Sequence, residues 1–160
     1  MKNGKFLDIA SYLIEHHISR QQRMSEEFFE DIQSQLTGDK KEVFSFLLAK
    51  SKSLEEEDIT VFVFKPDDSL FFWSSQQAKV ENPSSLGANT VHFIKIYNRY
   101  YTVFRRSYSN GYTAIALGLI YQKYPYFNQF FEQGFVFNRH ILYNTAILSD
   151  TENHKLYRNV

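Results

Sequence analysis

The longest hydrophobic periodicity lies at the start of the chain, where Phe6 to Leu36 places apolar side chains on one face of a helix. This stripe is interrupted only at Gln21, and the remaining positions are largely charged or polar. About 30 residues at roughly 1.5 Å per residue give a helix of about 45 Å, longer than a domain of this size is wide. We expect the helix to project beyond the core at one end. The alternative is a core helix that bends or breaks near Ser19-Arg20.

A second, shorter helix is predicted from Lys40 to about Ser53, because Thr37-Gly38-Asp39 ends one helix and caps the next. The acidic run at residues 55–58 is typical of a solvated turn, since adjacent side chains do not converge on one point. A β-hairpin follows, with strands at residues 59–64 and 69–74.

The hairpin turn is Lys65-Pro66-Asp67-Asp68, and residues 76–88 form a loop that has room for one helical turn. Three strands then succeed one another, and they are predicted at Thr90–Tyr97, Tyr100–Tyr108 and Tyr112–Tyr124.

The turns between these strands set their register. Asn98-Arg99 and Asn110-Gly111 are the predicted two-residue turns. With both in place, Phe93 lies beside Phe104 and Leu117. On the same face, Lys95 then lies beside Thr102 and Leu119, and Tyr97 lies beside Tyr100 and Tyr121. On the opposite face, Ile94 lies beside Val103 and Gly118, and His92 lies beside Arg105 and Ala116. Arginine is a poor residue for a positive-φ position, which leaves open a longer first loop and a register shifted by one.

The third strand of this meander has two unlike faces, because successive side chains alternate across a strand. Its flat face, with Ala114, Ala116 and Gly118, is the predicted seat of the long helix. Its bulky face ends at Tyr121 and Lys123. There the meander also places Lys95, Tyr97, Tyr100 and Thr102. Ammonium and phenol groups together suit a small anion or a polar metabolite, so we expect a ligand on this face; the alternative is that these residues line the exposed end of the sheet.

Trp73 joins this candidate site as a residue at the wet mouth of a pocket, since its ring N–H needs a partner; a place in the core is the alternative. Beyond Pro125, a short helix from Tyr126 to Gly134, a mixed segment from Arg139 to Leu148 and a strand beginning at Leu156-Tyr157 complete the chain. The predicted fold is α+β, with a long N-terminal helix packed on a mainly antiparallel sheet of about five strands, in one domain over residues 1–160.

Composition excludes several classes of function. The net charge is zero, which argues against a broad nucleic-acid interface, and the absence of cysteine excludes thiolate metal sites and thiol nucleophiles. His16 and His17 are adjacent and point about 100° apart on a helix, so they do not form a metal pair. Arg105 and Arg106 point to opposite faces of a strand, so we expect one solvated and one paired arginine; a phosphate clamp is the alternative. No catalytic motif or cofactor-binding motif is present, and we expect neither enzyme activity nor a cofactor.

The chain resembles the extracytoplasmic sensor domains of bacterial membrane-bound two-component histidine kinases. The resemblance is carried by Val61 to Ser74 (VFVFKPDDSLFFWS), by Gly118 to Asn128 (GLIYQKYPYFN) and by the phenylalanines of Phe130 to Phe135. In these domains a strand ends in the pattern Lys-x-Tyr-x-x-x-Asn. Here Lys123 is followed at once by Tyr124, so the lysine and the asparagine keep only the general form of that pattern. The resemblance implies a PAS-like (Cache or PDC) sheet between two transmembrane helices, and it carries no ligand-binding residues onto this chain.

The expected function is therefore signal sensing outside the cytoplasm, passed through membrane helices to a kinase. No apolar run in the chain approaches the roughly 18 residues that a membrane span needs, so the spans would flank it. We expect an unknown small molecule or protein as the signal and a homodimer through the long helix, whose stripe exceeds what one sheet can cover. The competitors are a small cytoplasmic binding domain of cystatin-like or NTF2-like shape and a small enzyme on such a fold.

Overall fold

The computed structural model describes residues 2–87 and 91–122, together with two-residue strands at 134–135, 145–146 and 158–159. Helix α1 spans Lys2–Gln33 and continues through Ser19-Arg20 without a break. Helix α2 spans Lys40–Glu55, and the carboxylate of Asp39 caps it by accepting the Lys41 backbone N–H at 3.1 Å. Both predicted helices are confirmed, and α1 is a single helix of 32 residues.

The strands form one antiparallel sheet. They are β1 (Ile59–Phe64), β2 (Leu70–Trp73), β3 (Val91–Ile96), β4 (Arg99–Ser107) and β5 (Thr113–Gln122), in the order β2-β1-β5-β4-β3. The predicted α+β class is thus confirmed: two N-terminal helices pack on a five-stranded antiparallel sheet. The predicted hairpin and meander provide its strands, and a short 3-10 helix lies at Pro83–Leu86 within the loop between β2 and β3.

The last third of the chain is described only in part. Strand β6 (Gly134–Phe135) pairs with the end of β5, and β7 (Thr145–Ala146) pairs with β8 (Arg158–Asn159). Most of the predicted helix from Tyr126 to Gly134 lies outside the described residues, although Gly134 itself belongs to β6. The same holds for most of the mixed segment at 139–148 and for residues 156 and 157.

The predicted register of the meander is wrong at both joints. Ile96 pairs with Arg99 and Lys95 with Tyr100, so the β3–β4 turn is Tyr97-Asn98, one residue earlier than predicted. Tyr97 takes the positive φ of 55° in this turn, and Arg99 enters β4, where it donates to the Gln77 carbonyl oxygen at 3.0 Å. Tyr97 thus takes the turn position that is unfavourable for an arginine, and Arg99 forms its hydrogen bond from within the strand.

The second joint differs because the β4–β5 loop has three residues, 109–111, rather than the predicted two: the Tyr108 N–H donates to the Tyr112 carbonyl oxygen at 2.9 Å, and Ser107 pairs with Thr113. A bulge in β5 then restores the predicted register at the far end of the two strands. Tyr100 pairs with Tyr121 as predicted, but Tyr101 pairs with Leu119, which leaves Ile120 as the extra residue. Beyond the bulge, Thr102 pairs with Gly118 rather than with Leu119. Likewise Phe104 pairs with Ala116 rather than with Leu117. The bulge also moves Tyr121 from the face that carries Leu117 to the face that carries Ala116.

The two faces of the sheet are covered by different parts of the chain. On the flat face of β5, Ala114 and Ala116 pack in one buried cluster with Phe28, Phe29 and Ile32 of α1, which confirms the predicted helix seat. The opposite face is covered by residues 75–87, which we call the strap. Its buried side chains, Ala78, Val80 and Leu86, pack on Phe62, Phe64, Leu117 and Leu119. Leu117 and Leu119, on the bulky face of β5, are therefore covered by the chain itself.

Candidate functional site

Helix α1 is joined to the sheet by a polar contact in the middle of its apolar face. Gly118 has no side chain, and the amide of Gln21 fills that space, so that a Cβ built on Gly118 would lie 2.6 Å from Gln21 Cδ. The Gln21 Nε2 donates to the carbonyl oxygens of Leu119 at 3.2 Å and Glu57 at 3.3 Å. Gln21 is fully buried. The one polar residue in the stripe is thus the residue that fixes the position of α1 on β5.

His17 contacts the same carbonyl one helical turn earlier. Its Nε2 lies 3.3 Å from the Leu119 oxygen and donates to it. This oxygen is available because β1 begins at Ile59, which pairs with Gly118, so the β1 ladder ends before Leu119. The Leu119 N–H instead donates to the Asp58 carbonyl at 2.9 Å, in a turn where Asp58 has a φ of 57°.

An ion pair adds a third contact along this line, since Arg20 Nη2 lies 2.6 Å from Glu57 Oε1. Both side chains are partly exposed, so we expect this pair to contribute less than about 1 kcal/mol to stability. Its main effect is to hold Arg20 of α1 next to Glu57. We call the set formed by His17, Arg20 and Gln21 with Glu57 and Leu119 the α1 seam. Because hydrogen bonds are directional, the seam specifies one position of the helix along the sheet, which apolar packing alone does less well.

Burial dominates the electrostatics of His17. It lowers the pKa of the imidazole below its ordinary value of 6.5. The Leu119 hydrogen bond and the nearby Asp58 and Glu57 carboxylates oppose this shift, while Arg20 adds to it. The ring is therefore neutral in the folded protein near neutral pH. No group of His, Asp or Glu side chains in the described part of the chain is arranged to hold a metal ion.

The lowered pKa predicts an acid-sensitive contribution to stability. The neutral ring stabilises the fold fully above the unfolded pKa, and this contribution is lost as the pH falls through the lower folded pKa. Between about pH 7.5 and about pH 5, the free energy of unfolding of the wild type should fall more than that of His17→Gln.

Urea titrations at the two pH values measure this difference. His16→Gln is the matched control, because His16 is exposed on the same helix, and it should retain the pH dependence of the wild type. Equal pH dependence in His17→Gln and the wild type would show that His17 does not carry the effect.

The predicted ligand residues are brought together in part. Lys95, Tyr100 and Tyr121 form a row across β3, β4 and β5. The Lys95 ammonium lies 5.5 Å from the centre of the Tyr100 ring, and the Tyr100 and Tyr121 rings meet edge to face at 5.8 Å. Burial, and then the adjacent Tyr100, raise the pKa of Tyr121. By alternation along β4, this row lies on the helix side of the sheet.

The remaining predicted residues are distributed over the molecule. Thr102 is two positions from Tyr100 on the same face but is fully buried. Tyr97 is 83% exposed in the β3–β4 turn. Trp73 is 48% exposed on β2, at the opposite edge of the sheet, and does not share a site with the row. Lys123 lies outside the described residues.

Sequence reasoning missed the seam because it counted Gln21 as a defect in a stripe and His17 as an apolar position. The signal was present: a glutamine in the middle of an apolar helix face needs buried partners, and a glycine within an apolar strand marks a close approach. Two buried oxygens near this point, Gln21 Oε1 and Thr102 Oγ1, have no hydrogen-bond partner among the described protein atoms. They lie near one another, because Thr102 pairs with the Gly118 that the Gln21 amide covers.

Comparison of the chain with known protein families, with curated proteins and with solved structures finds no significant match. Within the part of the chain that the structure describes, no helix combines the length and the apolar character that crossing a bilayer requires.

Proposed function

We propose that this chain is the extracytoplasmic sensor domain of a membrane-bound two-component histidine kinase. It would bind a small molecule or a protein signal and pass the resulting displacement through flanking membrane helices to a cytoplasmic kinase. The proposal includes no enzyme activity, cofactor or nucleic acid for this domain. The sheet with a long N-terminal helix on one face is the architecture that the resemblance of Val61 to Ser74 and of Gly118 to Asn128 implies.

The observation that carries the proposal is the α1 seam on a 32-residue helix. Toward its C-terminal end, α1 is buried through Phe28, Phe29 and Ile32. Toward its N-terminal end, Ile9 and Tyr12 are exposed. A helix that is held on the sheet between Ile14 and Ile32 and carries exposed apolar residues before that stretch can transmit a small displacement along its length.

Ligand binding would move α1 only through a difference in affinity between two positions of the helix. A ligand shifts an equilibrium between two positions of α1 only if it binds one of them more tightly. The row of Lys95, Tyr100 and Tyr121 lies on the helix side of the sheet, at the end of β5 where the seam is located. A small anion bound there would contact the same strand that holds α1.

We also propose a homodimer through α1. Ile14 is buried within the chain, so the exposed Ile9 and Tyr12 are the apolar residues that a second copy would cover. Tyr12→Glu should weaken such a dimer in sedimentation experiments, whereas Ile14→Glu would destabilise the fold of the single chain first.

The location of the full-length protein tests the proposal directly. We expect apolar stretches of about 20 residues on both sides of this chain in its coding sequence, with a kinase core downstream. The expressed protein should fractionate with the inner membrane, and protease added to spheroplasts should digest this domain while a cytoplasmic marker stays intact. Recovery in the soluble fraction, or protection of the domain in intact spheroplasts, would favour the cytoplasmic binding domain of cystatin-like or NTF2-like shape.

A further inference from the structure

A cleft of about 440 Å³ lies between one flank of α1 and the strands β3 and β4. Gln22, Glu26 and Phe29 line it from the helix, and Val91, Phe104 and Arg106 line it from the sheet. Its volume falls within the range of small-molecule sites in proteins. The cleft is separate from the row of Lys95, Tyr100 and Tyr121, which lies farther along the same face.

The floor of the cleft is apolar and open. Helix α1 packs mainly on β5 and β4, and α2 packs mainly on β1, so the two helices cover little of the helix-side face of β3. On that face, Val91 is 43% exposed and Phe93 is 40% exposed. Val91 pairs with the buried Phe104 and Phe93 with the buried Thr102, so the exposed apolar track on this face is formed by Val91 and Phe93. Exposed apolar side chains that form a row beside a cleft mark a binding surface more often than isolated ones do.

One end of this track carries a positive charge. The Arg106 guanidinium lies 5.7 Å from the centre of the Phe29 ring, which orients it at the cleft. Among the ion pairs within 4.0 Å in the described part of the chain, none involves Arg106. The adjacent Arg105 donates to carbonyl oxygens of the strap on the opposite face. Arg106 therefore presents planar donors that a carboxylate or phosphate accepts well.

The helix wall of the cleft limits the charge of the ligand. The Glu26 carboxylate lines this wall and accepts a hydrogen bond from Gln22 Nε2 at 2.9 Å. A second negative charge on a ligand would face this carboxylate. A single anionic group at Arg106 avoids that repulsion and leaves the rest of the ligand on Phe104, Val91 and Phe93.

We propose that the cleft binds an amphiphilic anion, a molecule with one anionic head and an unbranched apolar chain. The head accepts hydrogen bonds from Arg106, and the chain lies along Val91 and Phe93 beside α1. Binding does not depend on the proposed sensor function; only the role of this ligand as a signal does. Failure to bind would overturn this inference alone, whereas a soluble parent protein would overturn the sensor function alone.

Calorimetry with three probes of equal chain length tests the proposal: sodium decanoate, decanol and decyltrimethylammonium, each below its micellar concentration. Decanoate should bind saturably at one site, decanol at least tenfold more weakly, and the ammonium should not bind. Decyl phosphate distinguishes a phosphate head from a carboxylate head. Shortening the chain from decanoate to octanoate should weaken binding roughly fifteenfold, because two CH₂ groups are lost and each buried CH₂ contributes about a fourfold change.

Variants locate the site. Arg106→Gln should weaken decanoate binding at least tenfold, and Arg106→Lys should restore part of it. Arg23→Gln is the matched control, because Arg23 is exposed on α1 and does not line the cleft, and it should bind like the wild type. In the wild type, decanoate should shift the methyl resonances of Val91 and leave those of the buried Val61 in place. Equal affinity for decanoate and decanol, or wild-type affinity in a folded Arg106→Gln, would overturn the proposal.

Discussion

Replacing Gly118 with leucine is expected to destabilise the protein by about 2–6 kcal/mol. The side chain would enter the space that the Gln21 amide fills, and overpacking of this kind costs about 1–3 kcal/mol. Displacing the amide would also remove its bonds to Leu119 and Glu57, at about 0.5–1.5 kcal/mol each. Gly118 does not need a glycine for backbone reasons, since no positive φ is found there. The loss therefore measures the helix–sheet contact, and urea unfolding determines it.

A double-mutant cycle gives the matched control. Gln21→Ala removes the amide and makes room, so Gly118→Leu should cost much less in that background than in the wild type. The interaction between the two substitutions should exceed about 1 kcal/mol, as expected for residues in direct contact. Losses that simply add would show that the leucine collides with something other than Gln21.

Replacing Arg105 with alanine is expected to cost about 2 kcal/mol and to release the strap. Arg105 Nη1 donates to the carbonyl oxygens of Pro83 at 3.0 Å and Gly87 at 2.7 Å. Hydrogen bonds to charged groups contribute about 1.5–3 kcal/mol each, and we expect a total of only about 2 kcal/mol because one of these two bonds is exposed and the other is partly buried. Val80 and Leu86 of the strap pack on the apolar side chains of the sheet face opposite α1, so release of the strap would expose apolar surface. Limited proteolysis should cut residues 75–87 faster in the variant.

The neighbouring arginine is the control for this experiment. Arg106 lies on the opposite face and contacts the Phe29 ring, so Arg106→Ala should lose only about 0.5–1 kcal/mol. Its strap should resist protease as the wild type does. Equal cleavage in both variants would mean that Arg105 does not hold the strap.

The helices, the hairpin and the meander were predictable because each follows from the hydrophobic pattern and the turn residues of a short stretch of sequence. The stripe of α1, the cap at Asp39 and the presence of a turn at Asn110-Gly111 need no knowledge of the rest of the chain, although that loop has three residues rather than the predicted two. The seat of α1 was also predictable, since Ala114, Ala116 and Gly118 leave space that only a close helix can fill. The opposite faces of Arg105 and Arg106 follow from strand alternation in the same way.

What could not be predicted depends on partners that are distant in the chain. The bulge at Ile120 occurs where β1 has ended and α1 side chains take over the Leu119 carbonyl, and no local signal marks it. Because register has a period of two, this one residue places Tyr121 on one face with Tyr100 and separates it from Leu117 and Leu119, which lie under the strap. The strap was predicted as a loop, but its cover over the bulky face arises from carbonyl contacts to Arg99, Arg105 and Tyr101 on β4.

Autophosphorylation of the full-length protein in membrane vesicles tests most directly whether the α1 seam transmits a signal. Gln21→Ala removes the buried bonds to Leu119 and Glu57, and Gln33→Ala removes an exposed glutamine from the same helix. We predict that Gln21→Ala changes the basal rate of autophosphorylation severalfold and that Gln33→Ala leaves it unchanged. Equal rates in both variants and the wild type, or no autophosphorylation at all, would contradict the proposal that this domain controls a kinase through α1.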